Sequence, residues 1–210
     1  MNKKRKSKII GELKHHSPFT LAASLLAGVL VVILYLINKE YFVGTIPALF
    51  EIMHPAHVLI SAMATSAIYW KYNKSIIKTI LVGISGAIFI GSFSDVIFPW
   101  IAGNLFSLHT HFHLPIIENP ILIISVAFIG SIIGMSFGIF RLSHSLHVFL
   151  SIFASLFYLL TFSIEMNFLA ILLVSFLVFL AVYLPCCISD IVFPLLFIKK
   201  SCKNPSCLKD

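Results

Sequence analysis

His54-Pro55-Ala56-His57-Val58-Leu59-Ile60-Ser61-Ala62-Met63-Ala64-Thr65 and His144-Ser145-Leu146-His147-Val148-Phe149-Leu150-Ser151-Ile152-Phe153-Ala154-Ser155 share one pattern, H-x2-H-x3-S-x3-[ST]. A second pattern follows each copy: Ser94-Asp95-Val96-Ile97-Phe98-Pro99 after the first, Ser189-Asp190-Ile191-Val192-Phe193-Pro194 after the second. His54 and His144 are 90 positions apart (144 − 54) and Asp95 and Asp190 are 95 apart (190 − 95), so the order is kept and the gap nearly so. The chain therefore reads as a duplication in which each unit carries a His-His-Asp set.

The surroundings are apolar. Of 210 residues 59% are hydrophobic and 11% charged, and the mean hydropathy is +1.02. Long uncharged runs of this kind read as membrane-spanning helices, each needing about 20 residues. Six spans are expected, near 18–37, 47–69, 76–98, 120–140, 143–162 and 168–198. The fold class expected is an all-α integral membrane protein of six transmembrane helices, arranged as two inverted three-helix repeats, because an odd number of spans per repeat turns the second copy over. The repeat rests on the second and third spans of each half.

The formal net charge of +7 is unevenly placed. Basic residues collect in 1–14, at Lys71, Lys74 and Lys78, at Arg141 and in 199–209, which by the positive-inside rule puts both termini in the cytoplasm of a plasma or inner membrane. The clusters read as topology and lipid contact and not as a nucleic-acid surface. The organisation expected is a basic cytoplasmic segment 1–17, a first repeat 18–98, an extracytoplasmic His-rich loop 99–119, a second repeat 120–198 and a basic Cys-containing tail 199–210. The first apolar run has no clean cleavage pattern and reads as an uncleaved helix. A reducing compartment argues against disulfides among Cys186, Cys187, Cys202 and Cys207.

Positions i, i+3, i+7 and i+11 share one helix face. His54, His57, Ser61 and Thr65 thus form a polar stripe, as do His144, His147, Ser151 and Ser155. Neutral imidazole is a common ligand for zinc, iron, nickel and copper, and the ion expected at the whole set is a divalent transition metal, Zn, Fe, Mn or Ni. A carboxylate within a span faces a cavity, a partner or an ion. Asp95 and Asp190 each stand four residues before a proline, which frees the aspartate's own carbonyl. Counting residues along the spans puts His54, His57 and Asp95 toward the outer half and His144, His147 and Asp190 toward the inner half, as two separate sites. Glu51, three residues before His54, joins the outer one. His109, His111 and His113 would face one way in an extended loop and capture an ion with Glu118. Cys186 and Cys187 are candidate inner thiols beside Asp190.

No phosphate loop, H-E-x-x-H or G-x-S-x-G motif occurs, which excludes the commonest ATPase, zincin and serine-hydrolase readings. The expectation is a divalent transition-metal transporter with two pseudo-symmetric His-His-Asp sites, coupled to protons and dimeric to complete its pathway. The alternatives are an intramembrane metal-dependent oxygenase or hydrolase, whose histidines would converge in one place, and a proton-coupled carrier of a non-metal solute.

Overall fold

A computed structural model describes residues 25–34, 36–137, 140–162 and 173–179, with Pro18, Ala22, Val182, Phe193 and Phe197, and gives the backbone alone at 39, 42, 43 and 140–145. All its regular elements are helical, with no strand among the described residues. In chain order they are α1 (Leu25–Leu34), α2 (Lys39–Tyr72), α3 (Ile76–Ser92), a π turn (Phe93–Ile97), α4 (Phe98–Leu105), α5 (Pro115–Glu118), α6 (Pro120–Phe137), α7 (Phe140–Phe162) and a last segment, α8 (173–179). Three stretches are long and apolar enough to cross a membrane: Gly44–Tyr72, Ile76–Leu105 and Pro120–Phe137. Leu25–Leu34 and Leu146–Phe162 are shorter apolar helices. The expected sixth span lies mostly outside the described residues.

Two expected boundaries move. The second helix starts at Lys39, and its membrane-length stretch at Gly44 rather than at 47, so most of 38–46, between the first two expected spans, is helix. Asn38 caps it, its side-chain oxygen accepting the Tyr41 N–H at 3.1 Å. Pro47 and Pro55 lie inside the helix without ending it, as happens in apolar bundles where packing holds the freed backbone. The third span does not stop at Phe98. Pro99 has no N–H to give the carbonyl of Asp95, and the helix widens instead of ending, the Phe98 N–H reaching back to the Phe93 carbonyl. The result is one stretch from Ile76 to Leu105 with Asp95 inside its π turn.

Close contacts give the helix directions. A Cβ at Gly130 would strike the Leu59 carbonyl, and one at Gly134 the Met63 carbonyl. Hence α6 runs parallel to α2 along a Gly-x-x-x-Gly face, where small residues let backbones approach. Gly83 lies against Ser66 and Gly91 against Val58, so α3 runs antiparallel to α2. Phe50 packs on Tyr158 and Phe162 while His57 meets His147, so α7 is antiparallel to α2 as well. The α2 residues Phe50, His54, His57, Ser61 and Thr65 are fully buried, and they form the seam on which α3 and α7 close.

Candidate polar centre at the crossing of α2, α3 and α7

The stripe on α2 faces inward, as its spacing requires. His54, His57, Ser61 and Thr65 are all buried, and so are His147, Ser151 and Ser155 on α7. The π turn presents Asp95 to both stripes. Its Oδ2 takes Nδ1–H of His54 at 2.9 Å and Nδ1–H of His57 at 2.6 Å. Its Oδ1 takes the Ser94 hydroxyl at 2.8 Å and the Ser151 hydroxyl at 2.9 Å. Four donors match the roughly four acceptor directions of a carboxylate. This satisfies a buried charge that would otherwise cost several kcal/mol. Ser155 donates to the Ser94 carbonyl at 3.1 Å, which ties α7 to the widened turn.

The chemical consequence is a fixed tautomer. With Nδ1–H of His54 and His57 given to Asp95, the neutral rings keep their lone pairs on Nε2. Nε2 of His57 stands 3.4 Å from Nε2 of His147, the rings edge to face. Nε2 of His54 is buried with no hydrogen-bond partner among the described residues, its ring stacked on Phe50. Asp95 is therefore an orienting group behind the imidazoles. Both carboxylate oxygens of Asp95 are engaged by these four donors, and the neighbouring Ser94 carbonyl accepts from Ser155.

The expected separation into outer and inner halves also changes. His147 belongs to the same centre as His57 and Asp95. α2 begins at Lys39, eight residues before the expected span (47 − 39), which places His54 and His57 at the middle of the helix. His57 and His147 hold equivalent places in the two motifs, and antiparallel helices bring them together. The side chain of His144, and Asp190, Cys186, Cys187, Cys202 and Cys207, lie outside the described residues.

The loop histidines do not form one face. Positive φ at Ser107 and His109 breaks the extended alternation, leaving His109 and His111 exposed. Only His113 turns inward. Its Nε2 meets Glu51 at 3.2 Å and its Nδ1 meets Glu118 at 2.7 Å. Both ring nitrogens of His113 therefore face carboxylates. The ring stacks on Phe162, and Phe50 separates it from His54. Tyr158 holds the loop down, donating to the His111 carbonyl at 3.0 Å and accepting the His113 N–H at 3.3 Å. Among the described residues no three His, Cys, Asp or Glu side chains are gathered into a ready cage for a metal.

Sequence reasoning passed over Ser94 as a site residue, although it stands in the repeated S-D-x-x-F-P pattern and that repetition was the available signal. Phe50, Tyr158 and Phe162 gave none, being aromatics among 20 Phe and 6 Tyr. No protein family, characterised protein or solved structure matches the chain.

Proposed function

We propose that this is a six-span membrane carrier for a divalent transition-metal ion such as Zn, Fe, Mn or Ni, built as an inverted repeat and moving its cargo through the His54–His57–His147 centre. The observation that carries the reading is the double use of Asp95. Histidines that bind metals almost always give their other ring N–H to a carboxylate or carbonyl, and His54 and His57 both do so. The orphaned Nε2 of His54 is a buried acceptor that calls for a partner. The 3.4 Å between Nε2 of His57 and Nε2 of His147 is close to the ~3.3 Å edge that two imidazoles keep on a tetrahedral ion with bonds of about 2.05 Å. A transported ion needs a site it can leave, so a loose donor set suits a carrier better than a closed cage would. The antiparallel arrangement of the two motif helices supports the inverted repeat, and Asp190 with His144 would supply its second half. Dimerisation and cytoplasmic termini remain part of the proposal.

Elemental analysis of the detergent-purified protein tests it, with a His54→Ala/His57→Ala variant alongside, followed by ion flux into sealed proteoliposomes. Stoichiometric metal lost in the variant, together with flux, supports the carrier. A second reading, a proton-coupled carrier of a non-metal solute, is favoured by the continuous Asp95–His57–His147 chain, along which a proton can pass. It predicts no retained metal after loading. The convergence of His147 on His57 also suits an intramembrane metal-dependent enzyme, which metal content without flux would select.

A further inference from the structure

Five hydroxyl groups in these helices share one arrangement. Thr79, Ser66, Ser85, Ser131 and Ser136 each donate to the carbonyl four residues back in their own helix, at 2.6–2.9 Å. That is the default for a hydroxyl in an apolar helix. The four stripe hydroxyls behave otherwise, as does that of Thr161 in α7, which has no partner among the described residues. Ser151 and Ser155 of α7 reach across to Asp95 and to the Ser94 carbonyl. Ser61 and Thr65 of α2 are fully buried, yet neither hydroxyl has a partner among the described residues. Ser66, one residue on from Thr65, takes the default bond. The helix therefore permits it, and the stripe positions forgo it.

We infer that Ser61 and Thr65 form a hydrated step of the conduction path, directly after the histidine centre toward the Tyr72 end of α2. The inference rests on the carrier reading. His57, Ser61 and Thr65 follow one another at four-residue intervals, a rise of ~6 Å per step. A water that bonds both neighbours spans ~5.5 Å, so one water fits between successive rungs. Buried polar groups in a bilayer have to be satisfied by protein or by ordered water. Thr65 turns its methyl to α3. A Cβ at Gly86 would lie 3.1 Å from that methyl and 2.9 Å from the Phe193 ring. The apolar side of the rung is thus packed, and its hydroxyl is left for water. An ion leaving the imidazoles would exchange nitrogen ligands for water held on this ladder.

The test uses the full-length chain in proteoliposomes, with Cys186, Cys187, Cys202 and Cys207 replaced by serine. Single thiols are introduced by Ser61→Cys and Thr65→Cys, and as references by Ala62→Cys and Ala64→Cys, which are equally buried on the same helix. The probe is Ag⁺, and the rate of loss of free thiol is read. Reaction at 61 and 65 roughly tenfold faster than at 62 and 64 is expected, because only hydrated positions are open to an aqueous cation. Rates at 61 and 65 no faster than at the reference positions overturn the inference. Ser61→Cys exchanges one oxygen for sulfur and serves alone if Thr65→Cys does not fold. Fast reaction in a protein whose wild type carries no metal would leave the hydrated step standing and remove the carrier. Inert thiols in a protein that does transport metal would do the reverse.

Discussion

Replacing Asp95 by asparagine separates an orienting carboxylate from a metal ligand. The amide can point its oxygen at His54 and His57 and its NH2 at Ser94 and Ser151, whose hydroxyls turn to accept, so all four contacts survive in kind. What is lost is charge. Bonds to a charged group contribute about 1.5–3 kcal/mol and neutral ones about 0.5–1.5, a gross loss of about 5 kcal/mol over four bonds. Removing a buried charge returns several kcal/mol. The net change in stability is therefore small, about 2 kcal/mol or less in either direction, and Asp95→Asn stays folded. Asp95→Ala is the poorer probe, because it strands two buried imidazole N–H groups at about 1–3 kcal/mol each. Zn²⁺ affinity in the asparagine variant should fall by roughly 10–100-fold, the usual effect of losing an orienting partner. Competition titration against a chromogenic chelator, with the melting temperature recorded in parallel, measures both quantities. Wild-type affinity would refute the orienting role. Complete loss of the ion from a folded variant would refute it from the other side, by making Asp95 a ligand.

His57→Ala and His147→Ala should be strongly non-additive in Zn²⁺ affinity, with a coupling of about 0.5–3 kcal/mol in a double-mutant cycle, since each removes a donor that needs the other; additive losses would mean the two rings serve different sites. Gly130→Ala and Gly134→Ala would drive a methyl into the Leu59 and Met63 carbonyls, so each should destabilise the α2–α6 packing by about 1–3 kcal/mol, read as a lower melting temperature in detergent. Glu51→Gln with Glu118→Gln should raise amide exchange in residues 108–114 while changing global stability by less than about 1 kcal/mol, because both carboxylates are about half exposed; the same loosening should appear in wild type at high salt. Ser66→Ala should leave metal affinity and flux unchanged, its hydroxyl bonding its own helix, whereas Ser151→Ala should weaken metal affinity by removing a donor to Asp95.

Much of the helical plan is visible in the chain itself. Uninterrupted apolar runs can satisfy their backbone only as helices, and the spacing His54, His57, Ser61, Thr65 fixes one face whatever packs against it. That face is buried. The inward turn of the Ser151 and Ser155 stripe was legible for the same reason. Pro99 marked a perturbation beside Asp95, but its outcome was not readable, because a proline can end a helix or widen it and the neighbouring helices select which. Here Ser155 holds the Ser94 carbonyl and the turn widens.

Alone, the sequence determined the periodic and local features: helices, an inward polar stripe, a duplicated motif and a buried carboxylate that needs partners. Only the tertiary structure decided which partners. It brought His147 to His57 from 90 positions away (147 − 57), filled Asp95 with four donors and so made it an orienting group, and left His109 and His111 outside while His113 turned in between two carboxylates. The physical reason is that a helix's own geometry specifies direction around its axis. The depth at which two helices cross depends on where each begins, and on small-residue contacts such as Gly130 on Leu59 that no single helix encodes.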